Sequence, residues 1–384
     1  LVAKGYSQEY GIDYIDTYAP VVRQSSIRLV YALAVEHNLK LRQLDVSTAF
    51  LNGNLEEEIY MRQPEGFIQS ENKVCRLKKA LYGLKQAARQ WFKSIHSVFK
   101  RFGLSQSNHD QCIYFKNNNS TMIVTLYVDD ILIASNDEKD VQRLITELNN
   151  NFDIRDLGEP KHCIGLEVKI GNSKISLSQP GYTENLIKKY GQQNSKPTKV
   201  PMQPKLCLEK EPKISGEAES IDKTKYQEII GSLLHLSVFS RPDIACSVNM
   251  LSQFCQDPRK QHYTAAMQII RYLNSTKNFK LTFRKNGLPL VGYVDANWAT
   301  DINDRKSQLG FCFLLAGGTI SWESRKQRVV ATSSAESEYI ALAEAAKEAY
   351  YLRYLLAELG YASDGSTTIY SDSQSAQHMA KFKG

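Results

Sequence analysis

No stretch of the sequence approaches the roughly 18–20 consecutive apolar residues that a membrane-spanning helix requires; the longest candidates, such as Met122–Val128, are of strand length. Cysteine is sparse and unpatterned. The seven residues (Cys75, Cys112, Cys163, Cys207, Cys246, Cys255 and Cys312) are odd in number, widely scattered and without a CxxC pair. That argues against a disulfide scaffold and a thiolate zinc site, and for a reducing compartment. There is no internal repeat, no low-complexity tract and no signal-like opening segment. The chain starts at Leu1-Val2-Ala3-Lys4 without Met and stops at Phe382-Lys383-Gly384 without a closing element, so a piece of something longer is expected.

What is present suits a globular protein of several domains. At ~100–200 residues per domain, 384 residues hold two or three. The 42% hydrophobic content is too high for a disordered chain. Lys and Arg exceed Asp and Glu by 48 to 41, a net charge of +7, which suits a polyanionic partner but is mild for this length. Its location is more telling. Residues 72–109 carry nine Lys or Arg and no Asp or Glu, and the remainder carries 39 basic against 41 acidic side chains.

Proline density marks the main boundary. Residues 192–225 hold Pro197, Pro201, Pro204 and Pro212, four of the eleven prolines, and no aromatic residue, which predicts an extended linker. A softer boundary falls at Asn286-Gly287-Leu288-Pro289. The expected division is 1–191, a linker at 192–225, a helical region at 226–287 and a C-terminal piece at 288–384. The helical region carries apolar helical patterns at Ile229–Phe239 and Tyr263–Leu273, split by Arg241-Pro242-Asp243, but no carboxylate cluster or nucleophile. It reads as a packing or connecting element.

Two strand patterns deliver a first set of acids. Met122–Val128 and Ile131–Ala134 flank Asp129-Asp130, so the pattern is a β-hairpin with an acidic turn. Asp is a common turn residue. The flanks, however, are apolar enough to be buried strands, and like charges at the end of a core sheet are costly without a partner. A third acid, Asp45, ends the alternating strand Leu39–Leu44. Three such carboxylates suit two Mg²⁺ ions roughly 3.5–4 Å apart, an arrangement that serves in-line phosphoryl displacement.

From Leu84 the apolar residues recur at 84, 87, 88, 91, 92, 95, 98, 99 and 102, a helical stripe that Gly103 terminates. Lys85, Arg89, Lys93, Lys100 and Arg101 occupy the other faces. They form either a solvated basic face or a track for a nucleic-acid backbone, and the absence of any acid from 72–109 favours the track.

The C-terminal piece supplies a second set. Leu290–Val294 ends at Asp295, Gly310–Leu315 and Ile320–Arg325 complete a three-stranded meander, an Ala-rich helix runs from Ser334 to Leu359, and Thr367–Tyr370 delivers Asp372. That helix offers Glu336 and Glu338. Ser333-Ser334-Ala335-Glu336 fits a capping box, which gives Glu336 a structural task.

With these residues in view the chain resembles the Pol polyprotein of copia-type LTR retrotransposons. Tyr127-Val128-Asp129-Asp130 resembles the YxDD box of reverse transcriptases, and Gln43–Gly53 (QLDVSTAFLNG) resembles their first catalytic motif. Leu1–Gln8, Ala80–Trp91, Ile230–Leu236 with Arg241–Ile244, and Gly292–Ala299 follow in the family's order. The resemblance implies a multidomain α+β and α/β protein: right-hand polymerase fingers and palm at 1–191, a helical thumb or connection region at 226–287, and an RNase H-like domain at 288–384, truncated at both ends of the whole. It implies an RNA-directed DNA polymerase with Asp45, Asp129 and Asp130 as metal ligands, and an RNase H site of Asp295, Glu338 and Asp372, Glu338 matching the family's Glu-apolar-x-Ala motif. The implied cofactor is Mg²⁺, two ions per site, with Mn²⁺ as an alternative. Phe50 falls where the family keeps an aromatic under the incoming sugar, although a core Phe after a strand fits the sequence as well. Gly83, Lys85 and Gln86 belong to the motif that packs on the templating pair, Lys4 to the fingers block near the triphosphate, and Cys163–Val168 to the hairpin that grips the primer end. A further carboxylate expected after Asp372 is absent from the sequence, which weakens the nuclease expectation. The implied partners are an RNA template, a DNA primer, an RNA–DNA hybrid and dNTPs, with no membrane, in the cytoplasm within a virus-like particle or in the nucleus. The alternative is a decayed or co-opted copy that binds nucleic acid without catalysis; the six intact carboxylates argue against long decay. A phosphatase unrelated to nucleic acids would need a Gly-rich phosphate loop or His ligands near the acids, and neither is present.

Overall fold

The β-branched and aromatic residues of Met122–Tyr127 and Asp130–Ser135 form the expected hairpin, with Met122 opposite Ser135 and Tyr127 opposite Asp130. Residues 122–126 and 131–135 are buried on both faces, which explains why their pattern is continuous rather than alternating. In this computed structural model the described residues are 1–117, 120–204, 206–210, 219–363 and 365–381. They form two compact units of mixed α/β structure, the first from residues 1–23, 38–160 and 355–361, the second from 24–37, 161–354 and 362 onward. Among the described residues no helix is long and apolar enough to cross a membrane.

In the first unit the hairpin is the centre of a six-stranded antiparallel sheet. Its order is Ser105–Gln106, Ile113–Lys116, Met122–Tyr127, Asp130–Ser135, Lys40–Val46 and Ile154–Gly158. The helices Ala87–Phe102 and Glu138–Asn149 pack with it: Trp91 meets Phe152 edge-on at 5.0 Å, and Phe99 lies against Tyr114 at 4.7 Å. Gly103 takes φ +92° and closes the first of these helices, a conformation that costs glycine little. A separate two-stranded ribbon pairs Asn54–Arg62 with Val74–Lys79.

The second unit contains two sheets and a helical cluster. One sheet runs Leu281–Arg284, Lys174–Ser178, Leu166–Gly171 and His162–Cys163, and so joins segments from both sides of the proline-rich stretch. The other runs Gly318–Lys326, Gln308–Leu315, Val291–Asn297 and Thr368–Tyr370. Its first three strands are the antiparallel meander read from sequence, and Thr368–Tyr370 pairs parallel to Val291–Tyr293. The helix Ser334–Glu358 lies between meander and last strand in the chain; its residues to Tyr354 belong to this unit.

The helices Pro180–Lys189, Lys223–Phe239, Ala245–Ser252 and Lys260–Ser275 share a core around Ile229, Leu233, Val248 and Ile269. The described residues between 192 and 222 contain no helix or strand, yet they are not a free spacer. Leu208 is buried in the helical core, Met202 and Leu206 pack against it, and Gln261 Nε2 donates to the Glu209 carbonyl at 2.6 Å. Proline and low hydrophobicity set the extended backbone, while a few apolar side chains dock it. Residues 205 and 211–218, including Pro212, and the closing residues 382–384 lie outside the described residues.

Candidate functional site

The first acidic set is positioned by the central sheet of the first unit. Asp45 lies directly opposite Asp130 in the antiparallel register, and Asp129 occupies the turn before it. That turn is strained. Val128 takes φ +57°, a left-handed conformation that β-branched residues avoid. Two hydrogen bonds hold it: Trp91 Nε1 donates to the Val128 carbonyl at 2.6 Å, and the Val46 N–H donates to the Asp129 carbonyl at 3.0 Å. The basic helix and the neighbouring strand therefore pin the acidic turn from two sides.

Asp130 is half-buried, and desolvation pushes its carboxyl above the usual range. A hydrogen bond from Gln43 Nε2 to Oδ1 at 3.0 Å opposes that shift, and the charges of Asp129 and Asp45 reinforce it. Gln43 is 3% exposed and lies two residues before Asp45, hence on the same face of the strand.

Phe50 sits in the short turn Ala49–Asn52, which Thr48 enters with φ +52°. Its ring packs on Tyr82, centroids 4.7 Å apart and tilted by 48°. Burial, and then the charges of Asp129 and Asp45, raise the Tyr82 phenol. This tyrosine therefore links the aromatic pair to the acidic set. Gly83, at φ +97°, meets the chain's own opening segment: a Cβ there would stand 2.0 Å from the Ala3 carbonyl oxygen. Lys4 is exposed and borders a groove of about 640 Å³ that Gln8, Tyr60 and Arg62 also line. Lys85 Nζ lies 3.1 Å from the Tyr14 hydroxyl. Gln86 is wholly buried, with Nε2 donating to the Asp13 carbonyl at 2.9 Å and Oε1 accepting from Gln8 at 3.1 Å. Both ends of that amide are used inside the unit.

The basic helix is not a bare cationic strip. Arg89 is paired with Asp16 at 2.8 Å, Lys93 with Glu56 at 2.7 Å, and Arg101 donates to Asn151 Oδ1 at 2.8 Å. Each partner comes from outside the acid-free window.

The second acidic set lies in the second unit. Asp295 is on the strand Val291–Asn297, Asp372 follows the parallel strand Thr368–Tyr370, and Glu338 is on the second turn of the helix that begins at Ser334. Each offers a carboxylate oxygen within 4.8 Å of the other two. Among the described residues, Asp45, Asp129 and Asp130 do not form a group this tight. Glu338 is 8% exposed; Oε1 accepts from the Ala296 N–H at 3.3 Å, and among the described residues Oε2 has no hydrogen-bond donor. Burial raises its carboxyl, the Ala296 bond opposes this, and Asp295 and Asp372 raise it further. An orphaned oxygen on a buried acid among like charges is expensive. An all-carboxylate set of this spacing fits a hard divalent cation, which would relieve that cost.

Glu336 faces elsewhere. Its N–H donates to Ser333 Oγ at 3.1 Å, and its own Oε2 accepts from the Thr332 N–H and hydroxyl, both at 2.6 Å. Those bonds hold its carboxyl below the ordinary range. The capping geometry is present, with the carboxylate reaching Thr332 instead of Ser333.

The hairpin of Cys163–Val168 also forms: Cys163 pairs with Leu166 across Ile164 (φ +51°) and Gly165 (φ +73°). Sequence reasoning assigned no task to Gln43 or Trp91, and read Tyr82 only as part of the motif that packs on the templating pair. Gln43 carried a signal, its i, i+2 relation to Asp45; Trp91 looked only like part of an apolar stripe.

Residues 1–204 match the family described as reverse transcriptase (RNA-dependent DNA polymerase). The chain is 41% identical over 389 residues to the retrovirus-related Pol polyprotein from transposon TNT 1-94 of Nicotiana tabacum, spanning 99% of this chain and 29% of that protein. It is 39% identical over 385 residues to the Pol polyprotein from transposon RE1 of Arabidopsis thaliana, spanning 99% and 26%. It is also 33% identical over 311 residues to the putative transposon Ty5-1 protein YCL074W of Saccharomyces cerevisiae, covering 79% of this chain and all of that one. The chain thus spans less than a third of the two polyproteins.

Proposed function

Because the chain belongs to the reverse transcriptase (RNA-dependent DNA polymerase) family, we propose that it is the RNA-directed DNA polymerase region of a copia-type retrotransposon Pol polyprotein, with a nuclease of the RNase H type in its C-terminal part. The observation that carries the polymerase reading is the register of Asp45 against Asp130, with Asp129 in a turn pinned by Trp91 and Val46. The first unit would then supply palm and fingers, Asp45, Asp129 and Asp130 would hold Mg²⁺, and RNA template, DNA primer and dNTPs would be the substrates.

Within this reading the chain's residues have separable tasks. Divalent cations held by such carboxylates supply charge neutralisation for the attacking and leaving oxygens of an in-line displacement. Gln43 keeps Asp130 oriented and ionised. Phe50, buttressed by Tyr82, closes the space beside the sugar where a 2′-hydroxyl would project. Lys4 faces the triphosphate, and the hairpin 163–168 holds the primer end.

The nuclease reading rests on a different observation, the 4.8 Å grouping of Asp295, Glu338 and Asp372 with the orphaned Glu338 Oε2. These residues would hold Mg²⁺ and direct water against the RNA strand of a hybrid. For the polymerase, Mg²⁺-dependent dNTP incorporation on poly(rA)/oligo(dT) is the test. Asp129→Asn and Asp130→Asn should each reduce it roughly a hundredfold or more, since several kcal/mol of charge stabilisation is removed. Incorporation that survives both changes would overturn the assignment of the acids.

A further inference from the structure

Two tyrosines stand beside the second acidic set, and the polymerase and nuclease assignments give them no task. Tyr293 and Tyr370 are register partners on the parallel strands Val291–Asn297 and Thr368–Tyr370. Their rings stack, with centroids 5.2 Å apart and planes inclined by 27°. Both remain open to solvent, at 46% and 54% exposure. Alternation along a strand puts residues i and i+2 on one face. Tyr293 therefore shares a face with Asp295, and Tyr370 lies two residues before Asp372. Residues two apart on a strand stand ~7 Å apart, which sets Tyr293 next to Asp295 on that face. The same face opens on a groove of about 580 Å³ whose walls include Tyr293, Asp295, Asn297, Gln308 and Trp322.

A stacked pair buries only one face of each ring, and a purely structural pair would gain by covering the others. Charge narrows what covers them. Three carboxylates repel a phosphate backbone, and a Lys or Arg at this position would pair with those acids instead of with a substrate. A neutral aromatic surface is the contact that tolerates both. Its ring faces suit a sugar or base, and its exposed hydroxyls can donate to a phosphate oxygen.

We infer that Tyr293 and Tyr370 form a stacking platform that holds the nucleotide adjacent to the one cleaved at Asp295, Glu338 and Asp372, and so fixes the register of an RNA–DNA hybrid. The inference rests on the nuclease reading of that site for its catalytic meaning, but the contact itself is testable without cleavage. In the full-length chain, tyrosine nitration by tetranitromethane is followed residue by residue by mass spectrometry in EDTA, with and without saturating RNA–DNA hybrid. Tyr293 and Tyr370 should be protected several-fold. Tyr350 and Tyr354, exposed on the long helix, serve as references. With Mg²⁺ present, Tyr293→Ala with Tyr370→Ala should raise KM for hybrid cleavage about tenfold, blur the cleavage positions and lower kcat far less. The Phe pair should recover most of the loss if the rings make the contact. Nitration of both tyrosines unchanged by hybrid overturns the platform, even if cleavage is robust. Protection without any metal-dependent cleavage supports the platform as a binding surface and sinks the nuclease reading instead.

Discussion

At the scale of single residues, the informative side chains are polar groups held by one specific bond. Gln43 is the clearest. It offers Asp130 the bond that counters desolvation, so Gln43→Leu should let the Asp130 carboxyl rise further. On the proposed function, polymerisation needs that group ionised. The acid limb of its pH–rate profile should move to higher pH, with incorporation reduced roughly 10–100-fold, the usual loss when a residue orienting a metal ligand is removed. An unmoved acid limb would mean that Gln43 does not tune Asp130.

His262 gives a pH prediction of a different kind. It is fully buried and stacked on Phe254 at 3.8 Å; its Nδ1 accepts from the Arg259 N–H, which leaves the proton on Nε2 facing the Glu209 carbonyl. Burial lowers its pKa to about 4. An unfolded chain therefore binds a proton near pH 6.5 that the folded one refuses until about pH 4. Stability associated with His262 is present above pH 6.5 and is lost as pH falls through this window. Urea titrations at pH 7.5 and 5 should show the drop for the wild type and a smaller one for His262→Gln.

At the scale of elements, the basic helix changes most between sequence and structure. Its amphipathic stripe and its Gly103 stop follow from local periodicity and glycine's backbone freedom, so they were readable. Its apparent free charge was not, because Asp16 and Glu56 come from distant positions in the chain. Exposed pairs of this kind contribute under ~1 kcal/mol each and compete with phosphate for the cation. Replacing Lys85, Arg89 and Lys93 together by Ala should therefore weaken primer–template binding and flatten its log–log salt slope by ~1, rather than by the ~2–3 expected of three free cations. Binding measured between 50 and 200 mM salt, about the range over which such contacts respond, distinguishes the two.

The hairpin and the meander were legible for another reason. Buried strands read as continuous apolar runs and half-buried ones as alternation, whatever they pack against. The left-handed Val128 in the acidic turn was not legible, since nothing in the local sequence asks a valine to adopt it. It persists because Trp91 and Val46 hold both carbonyls of the turn.

At the scale of the whole molecule, each acidic set lies inside one compact unit. Cation stabilisation should then be removable at one without the other. Mg²⁺ titrated into the wild type should raise Tm by a mass-action increment of about 1–3 kcal/mol in stability. The part due to the second set should vanish in Glu338→Gln. Without Mg²⁺, that variant should be more stable than wild type near neutral pH, because a carboxyl whose folded pKa is raised loses stability as pH rises through it. Equal Mg²⁺ responses in Glu338→Gln and wild type would exclude Glu338 as a ligand.

The sequence by itself determined the strand ends that carry acids, the helix that carries the basic residues, and the family, because each is written in local period or in a contiguous motif. Tertiary structure alone decided which acids meet. Glu336 and Glu338 are two residues apart on a helix and so point roughly 200° apart; only one could turn toward Asp295, and the choice was made by Thr332 and Ser333 engaging the other. It likewise decided that Gln86 is buried with both ends of its amide bonded, that Gln43 bonds to Asp130, and that Tyr293 stacks on Tyr370. Those are contacts between residues far apart in the chain, or between side chains whose direction depends on packing, and neither leaves a trace in local periodicity.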